Sequence, residues 1–454
     1  MFHIGTYSIN LEKTKTSFKK INQLAIPAIL SGISESVISL TDLAIIGHVQ
    51  KDPVEAMAAV GLVGSFLSAI IWVIAQTKTA ISTQVSQHLG NQRLHAVKTL
   101  VPQAIVFNFL LSLCILGITV AFATPIFSAY NARGLILEYT IDYYLIRAFG
   151  FPFTLVSFAL YGVFRGLQNT SWAMRCALTG ALLHVVLAIL LVFGIPGFLP
   201  AMHIQGAAIA SLISQILMCG MALFYFFTKT PFSLKISRTL NHNLKPFILL
   251  SFNFIIRTCA LNVAIYLGNA YATGYGSTYI AAQSILMNIW LFFSFFIDGY
   301  SNAGNALAGK LSGENNYTGL WEMSKQIRKH ALFVSLLLVA VCFLLYSPIG
   351  RMFNKDYEVL EVFKSVFWII LCMQPINALA YVYDGIYKGL GEAKFLRNNL
   401  LAATFLGFIP TLLITDALGY KLYGIWIAFG VWMFIRSFPL IWKLKIQVQQ
   451  HTPN

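Results

Sequence analysis

The sequence predicts an all-α integral membrane protein built from two similar halves of six helices each. Hydrophobic residues make up 57% of the 454-residue chain and charged residues only 10%, whereas a soluble domain carries about 25% charged residues. Twelve apolar segments each reach the roughly 20 residues that an α-helix needs to cross a bilayer. Pieces of the first six segments recur in the last six, and a doubled six-helix chain is typical of secondary transporters.

The twelve predicted spans follow one another with short polar connections. Each is a run of Leu, Ile, Val, Ala and Phe that ends at charged residues, Gly or Pro, because charged side chains are costly in the hydrocarbon core. The predicted spans are 21–46, 54–80, 97–123, 139–164, 171–194, 204–228, 247–271, 277–308, 328–349, 359–387, 395–416 and 421–443.

Three motifs occur once in each half, in the same order. The pairs are AISTQVSQHLGN (80–91) with NAGNALAGKLSGEN (302–315), FRGLQNT (164–170) with YKGLGEA (387–393), and IQGAAIAS (204–211) with LYGIWIAF (422–429). We therefore expect an N-terminal lobe, residues 1–235, with helices 1–6, and a C-terminal lobe, residues 236–454, with helices 7–12. Two such lobes would enclose a substrate cavity between them.

The net charge of +15 comes from Lys and Arg near the helix ends. When the amino terminus is placed inside, most of the 31 basic residues lie on the inner side. The positive-inside rule then predicts cytoplasmic termini and a cytoplasmic linker, residues 228–245. The basic residues form no patch with interleaved aromatics, so no nucleic-acid partner is expected. We expect a monomer whose partners are membrane lipids and a small organic molecule.

The sequence predicts no cofactor, no metal site and no enzymatic activity. The six cysteines lie in apolar spans without a Cys-x-x-Cys pair, which is typical of small buried hydrophobic residues. There is no metal-ligand cluster, no Gly-rich phosphate-binding loop and no clustered acid–base constellation of an enzyme. Nothing in the sequence suggests ATP as the energy source. A passive channel is an alternative, but the doubled halves and a kinked first helix that bears carboxylates favour a mobile carrier, with H⁺ or, alternatively, Na⁺ as the coupling ion.

The first predicted helix carries the strongest functional candidates. Pro27, Glu35 and Asp42 fall on nearly one face, since residues seven apart on a helix are close to two turns apart. Pro27 frees a backbone carbonyl and weakens the helix locally. A bendable helix with a carboxylate suits alternating access, because protonation removes the charge and lets the helix repack. Asp42 is the leading candidate, and its alternative role is a cap or ion pair at the outer helix end.

Other polar residues inside predicted spans have structural as well as functional interpretations. Arg257 and Asp298 on helices 7 and 8 are expected to pair within the second lobe, as a fixed ion pair or as a coupling element. Asp384 on helix 10 is expected to make helix contacts near the cytoplasmic end. His184 on helix 5 is either a packing residue or a titratable group.

Several separated motifs resemble the multidrug and toxic compound extrusion (MATE) family, and more narrowly its DinF-like branch. Residues 42–61 (DLAIIGHVQKDPVEAMAAVG) resemble the family's opening, an acidic residue followed by Gly-His and an Ala-rich second helix. Residues 257–309, with RTCALNVAIYLGNAYATGYG and FIDGYSNAGNALAGK, resemble helices 7 and 8 of that branch, and residues 384–397 (DGIYKGLGEAKFLR) its helix 10–11 junction.

This resemblance implies a V-shaped antiporter of the bacterial inner membrane that expels organic compounds against an inward proton or sodium flow. It points to Asp42 as the coupling carboxylate and to Pro27 as the bending position. Two positions depart from the pattern. Helix 5 has His184 and Ala188 where many relatives carry an Asn and an acidic residue, and helix 8 has Asn305 where the branch often has Glu. We hypothesise that Glu35 or His184 partly substitutes for the missing acid.

The leading interpretation is a proton-coupled exporter of lipophilic or cationic compounds, in which one carboxylate binds either a proton or a cation. A Na⁺-coupled exporter of the same family is an alternative, because the same carboxylate could hold Na⁺ with nearby carbonyls and hydroxyls. A flippase for a lipid-linked amphiphile is a further alternative. Its phosphate-bearing substrate would favour a cationic cavity, whereas the first-lobe candidates are acidic.

Overall fold

The computed structural model describes residues 18–49, 52–235 and 237–451, and these residues are almost entirely helical. The seventeen α-helices among them are α1 (Phe18–Ile46), α2 (Pro53–Ile74), α3 (Gln76–Gly90), α4 (Leu100–Ala121), α5 (Ala123–Ala129), α6 (Gly134–Ala148), α7 (Phe151–Gly166), α8 (Ser171–Phe193), α9 (His203–Lys229), α10 (Leu244–Gly274), α11 (Ser277–Gly313), α12 (Tyr317–Leu344), α13 (Tyr346–Arg351), α14 (Tyr357–Leu390), α15 (Ala393–Ala402), α16 (Ile409–Ala417) and α17 (Lys421–His451).

Most of the predicted spans are present as helices long and apolar enough to cross a membrane. The described residues contain ten such helices, or eleven if a bent pair counts as one span. This count does not include α1, which is 29 residues long and contains side chains outside the described part of the chain. The all-helical membrane fold is confirmed, whereas the number twelve stays a prediction.

Two predicted spans are interrupted. The fourth breaks into α6 and α7, which meet at an angle of 46°. The eleventh contains a π-helical segment, Ala403–Phe408, between α15 and α16. Pro410 follows this segment and cannot donate a backbone hydrogen bond, and π-segments of this kind often mark bends.

Three hydrophobic cores hold the described helices together. One core contains residues of both halves, including Ile21, Phe164, Ile297 and Tyr387. The other two contain residues of one half each, between Ile46 and Ala208 in the first and between Ala260 and Met433 in the second. The two halves are therefore packed together at one end, here called the joined end, and have separate cores at the other, the open end.

The joined end shows the internal symmetry directly. A Cβ atom on Gly90 of α3 would collide with the backbone carbonyl of Lys310 on α11, and one on Gly313 of α11 would collide with that of Gln87 on α3. The two contacts are reciprocal, because Gly90 and Gln87 correspond to Gly313 and Lys310 in the repeated motif. Glycine lets the backbones of the two helices approach this closely. The motifs that revealed the duplication therefore pack against each other.

Helix α1 connects the halves at the joined end. Pro27, whose ring replaces the backbone N–H that would bond to the Gln23 carbonyl, is buried. The Thr170 hydroxyl lies 2.8 Å from the Leu24 carbonyl and 3.5 Å from that of Gln23. A hydroxyl from the start of α8 thus lies beside the carbonyl that the proline leaves free. This contact provides polar support for α1 without a covalent constraint on its movement.

Candidate functional site

Asp42 lies at the centre of a buried polar cluster in the first half. Its Oδ1 atom is 2.9 Å from Nε2 of His184 on α8. The Tyr143 hydroxyl on α6 donates to Oδ2 at 2.9 Å, and the Ser211 hydroxyl on α9 lies 3.4 Å from the same oxygen. Four helices thus contribute one side chain each, and all four residues are at most 2% exposed. We call these four residues the Asp42 cluster.

Both members of the Asp42–His184 contact can gain or lose a proton. Oδ1 and Nε2 are at ion-pair distance but form no hydrogen bond of regular geometry. The Ser211 hydroxyl also lies 3.3 Å from Nδ1 of the ring, so it links the carboxylate to the imidazole on the other side. A carboxylate held by an imidazole, a phenol and a hydroxyl can change its charge without leaving a permanent cation unpaired.

The cluster lies on the open-end side of its half. Ile46, four residues beyond Asp42, belongs to the core that contains only first-half residues. The Arg147 guanidinium lies over the Tyr143 ring at 5.8 Å, which adds a cation close to the phenol. Glu35 lies within α1, but its side chain is outside the described part of the chain, so its predicted role stays a prediction.

The second half contains a buried carboxylate of a different kind. Asp384 on α14 is 2% exposed, and its Oδ1 accepts from the Arg257 guanidinium on α10 at 2.5 Å. Its Oδ2 lies 3.1 Å from Nζ of Lys388 and 3.6 Å from the guanidinium of Arg436 on α17. We call Asp384, Arg257, Lys388 and Arg436 the basic cluster.

The predicted pairing of Arg257 with Asp298 is wrong. Arg257 pairs with Asp384 instead, because α10 presents it to α14 and not to the face of α11 that carries Asp298. The Asp298 carboxylate accepts from Asn302 at 2.8 Å and is close enough to Arg165 of the first half for an electrostatic interaction. The sequence predicted Asp298 as the partner because the two residues lie on neighbouring helices, but it could not show which helix face each side chain occupies.

Asn305 lies where the two halves meet. It accepts from the Ser82 hydroxyl at 2.7 Å and lies 3.3 Å from the Thr83 hydroxyl. Thr83 in turn donates to the Lys388 carbonyl at 2.6 Å. Ser82 and Asn305 occupy equivalent positions of the repeated motif, so this bond lies close to the pseudo-symmetry axis.

Two glutamines extend this contact on both sides. Gln87 of the first half donates to the Gly389 carbonyl at 3.0 Å, and Gln168 donates to the Ala306 carbonyl at 2.7 Å. We call this set the inter-lobe seal, which consists of Ser82, Thr83, Gln87, Gln168 and Asn305. The seal consists of neutral hydrogen bonds, each contributing about 0.5–1.5 kcal/mol to stability.

Sequence reasoning missed several of these residues. Tyr143 and Ser211 carry no signal of their own, since Tyr and Ser are common in membrane helices. Arg436 did carry a sequence signal, because a cation in the middle of a predicted span is rare and usually functional. The seal residues lie in the repeated motifs, and the recurrence of those motifs could have identified them as a contact surface.

Comparison with known proteins places the chain in a family of transporters. The MatE family model matches residues 27–190 and 253–413. The chain is 25% identical to DNA damage-inducible protein F of Escherichia coli, over 94% of this chain and 92% of that protein. It is 27% identical to the chloroplastic protein DETOXIFICATION 44 of Arabidopsis thaliana, over 94% and 82%. It is 24% identical to a probable multidrug resistance protein NorM of Pasteurella multocida, over 97% of each chain.

Solved structures have the same fold. A MATE transporter in its bent conformation superimposes with a TM-score of 0.86 at 18% identity, over 95% of this chain and 96% of that one. The MATE transporter VcmN of Vibrio cholerae, also in a bent form, gives 0.86 at 16% identity, over 95% and 97%. The matched model covers more than half of the chain, and the chain therefore belongs to the MatE family, the multidrug and toxic compound extrusion transporters, in its DinF-like branch.

Proposed function

We propose that this protein is a secondary active antiporter that exports lipophilic or cationic organic compounds in exchange for inward H⁺. Protonation of Asp42 would drive the change between its two states. The observation that carries the proposal is the 2.9 Å contact between Asp42 and His184, both fully enclosed within the first half. Proton coupling requires a group that can bind and release a proton within the membrane-spanning part of the protein. A carboxylate in contact with an imidazole there meets this requirement.

The mechanism needs the carboxylate to exist in two charge states. When deprotonated, Asp42 carries a negative charge that a cation from the cytoplasm would stabilise. When protonated, it loses that charge and its demand for polar partners, so a bound cation is expelled. Tyr143 and Ser211 serve both states, because a hydroxyl can donate to a carboxylate and accept from a carboxyl group.

The arrangement of the two halves indicates at which point of a transport cycle Asp42 would be protonated. The halves are joined where the linker and the last turns of α17 lie, and their cores are separate on the side of the Asp42 cluster. We infer that the joined end faces the cytoplasm, because most of the chain's basic residues are near it. The structure then corresponds to an outward-facing state, from which the substrate leaves and into which the proton enters. We further infer the bacterial inner membrane as its location.

Substrate-triggered proton movement in proteoliposomes tests the proposal. Vesicles that contain a pH-sensitive dye are given tetraphenylphosphonium as the cationic probe, with and without Na⁺. The wild type is compared with Asp42→Asn. The matched control is Asp52→Asn. The Asp52 carboxylate also accepts a hydrogen bond from a tyrosine hydroxyl on α6, that of Tyr139 at 2.8 Å, but Asp52 lies in the connection before α2, outside the Asp42 cluster.

Proton flux in the wild type and in Asp52→Asn, with its loss in Asp42→Asn, would support a proton antiporter. Transport that depends on Na⁺ and moves no protons would keep the exporter and replace its coupling ion. Absence of both fluxes in folded protein would contradict the antiporter, and the lipid-linked amphiphile would then be the first alternative substrate.

A further inference from the structure

The basic cluster of the second half holds more positive than negative charge. Three cationic side chains, Arg257, Lys388 and Arg436, surround the single carboxylate of Asp384. The nearest further carboxylate, Asp298, interacts electrostatically with Lys388 but also with Arg165 of the first half. When Asp298 and Arg165 are included, four cations face two carboxylates, which leaves two positive charges in excess. All four residues of the basic cluster lie within helices that span the membrane.

The excess positive charge of the basic cluster is energetically costly because its side chains are buried. The Arg257 and Arg436 side chains are 3% and 2% exposed, and transfer of a cation from water into such an environment costs several kcal/mol unless a counter-charge compensates. The Nε atoms of Arg257 and Arg436 are buried without a hydrogen-bond partner. The cluster thus offers charge and unused donors that a fixed ion pair would not leave over.

The cluster lies beside the boundary between the halves. Lys388 is partly exposed at its side chain, 15%, and its backbone carbonyl accepts from Thr83 of the first half, so it lies at the boundary of the two halves. Towards the open end, one face of α14 carries Tyr381, Asn377 and Gln374 above Asp384. These residues are spaced three and four apart and form a continuous polar stripe.

Aromatic rings border the cations. The Arg436 guanidinium lies 4.9 Å from the centre of the Tyr381 ring and 5.7 Å from that of Trp432. A planar guanidinium beside aromatic rings is held in orientation, and of its nitrogen atoms Nε has no hydrogen-bond partner. The surroundings therefore suit an anionic group that is attached to an apolar or aromatic body.

We propose that the basic cluster binds the carboxylate group of lipophilic substrates. A carboxylate matches the two-pronged geometry of a guanidinium, and its charge offsets part of the excess around Asp384. This inference rests on the proposed export function, since it names a group that the exported compounds carry. It adds lipophilic carboxylates to a substrate range that Asp42 alone would restrict to neutral and cationic compounds.

A purely structural ion network would have a different composition. At the joined end, Glu392 pairs with Lys443 and accepts from Gln447, and this network has one cation for one carboxylate. The basic cluster has three cations for one carboxylate and unsatisfied donors. It therefore has the composition of an anion-binding site.

Equilibrium binding of 1-naphthoate to the purified protein in nanodiscs tests the proposal, without any ion gradient. Two matched probes keep the ring system, 1-naphthamide without the charge and 1-naphthyl phosphate with a tetrahedral oxyanion. The variants are Arg436→Gln, which removes both the positive charge and the two-pronged guanidinium, and Arg436→Lys, which keeps the charge but not the two-pronged geometry. Lys325→Gln is the control, because Lys325 is an exposed cation paired with Glu322. Size-exclusion chromatography shows which variants are folded.

We expect 1-naphthoate to bind the wild type and Lys325→Gln alike, and to bind Arg436→Gln at least about tenfold more weakly. Arg436→Lys should fold and lie between them, and 1-naphthamide should bind weakly everywhere. Equal binding of naphthoate and naphthamide, equal binding to wild type and Arg436→Gln, or no naphthoate binding at all would overturn the proposal. Tighter binding of 1-naphthyl phosphate would replace the carboxylate by a phosphate. Because no gradient is applied, failure of proton coupling leaves this result unaffected.

Discussion

Asp42 and Asp384, the buried carboxylates among the described residues, have opposite surroundings. Asp42 in the first half contacts an imidazole, a phenol and a hydroxyl, and among these contacts only the imidazole can carry a positive charge. Asp384 in the second half contacts two guanidinium groups and one ammonium. A neutral Asp42 would leave no guanidinium or ammonium among these contacts unpaired, whereas a neutral Asp384 would leave three buried cations unpaired. Under the proposed mechanism, an aspartate carries a variable charge in the first half and a fixed charge in the second.

The internal repeat makes this difference informative. Gly162 on α7 and Gly385 on α14 are equivalent, and both pack closely on a backbone carbonyl of their own half, that of Lys78 and that of Ser301. The residues just before them differ, since the first half has Tyr161 where the second has Asp384. The duplicated scaffold has kept its glycine contacts while its charges diverged. Helix packing is therefore shared by the halves, and function is divided between them.

The largest expected effect on stability is that of Asp384→Asn. Removal of this charge leaves three cations without their carboxylate, and breaking a buried ion pair in this way costs about 3–5 kcal/mol. Thermal unfolding of the purified protein in detergent should show a much larger decrease in Tm for Asp384→Asn than for Asp42→Asn. Equal decreases would mean that the two carboxylates are held alike and would remove the basis of the comparison.

The next largest effect is expected at the contact of α3 with α11. Gly90→Ala places a methyl group against the Lys310 backbone, and overpacking of this kind costs about 1–3 kcal/mol. The cost applies only when the joined end is closed, so the variant should favour the inward-facing state. Cysteine accessibility from the cytoplasmic side should increase. Gly64→Ala is the control, because a Cβ there has no neighbour within 4 Å, and a similar increase in it would contradict the prediction.

His184→Gln should change the pH dependence of transport. The imidazole stabilises the Asp42 carboxylate at 2.9 Å, whether as a cation or as a hydrogen-bond donor. Its removal takes away one of the two groups of this contact that can bind a proton, so the pH at which transport is half-maximal should shift. Transport assays over a pH series measure this shift, with Glu35→Gln tested in parallel and the exposed His48→Gln as control. An unchanged profile in His184→Gln and Glu35→Gln would end the idea that either residue replaces the missing helix 5 acid.

The smallest effects are expected from the hydroxyl groups of the Asp42 cluster. Tyr143→Phe removes a hydrogen bond of 2.9 Å to the carboxylate, and bonds to charged groups contribute about 1.5–3 kcal/mol. Ser211→Ala removes longer contacts, 3.4 and 3.3 Å, and should cost less. Thermal unfolding of both variants gives the order, and a larger loss in Ser211→Ala would contradict the described geometry.

The sequence predicted the fold well and the site only in part. Hydrophobic length and the repeated motifs sufficed for two helical halves, because both properties are local. Asp42, His184 and Asp384 were recognised as polar groups in apolar spans. Their partners depend on which helix faces they occupy after packing, so the contact of His184 with Asp42 and that of Arg257 with Asp384 emerged only from the three-dimensional arrangement. The division at residues 235 and 236, and the roles of the individual site residues, stay predictions.

The central claim is that Asp42 binds either a proton or a cationic substrate. Calorimetric titration of tetraphenylphosphonium into the purified protein, repeated in buffers of different ionisation enthalpy, counts the protons released for each cation bound. The account predicts a release of about one proton near the pH of half-maximal transport, and none in Asp42→Asn. Cation binding without proton release in the wild type, or the same release in Asp42→Asn, would contradict it.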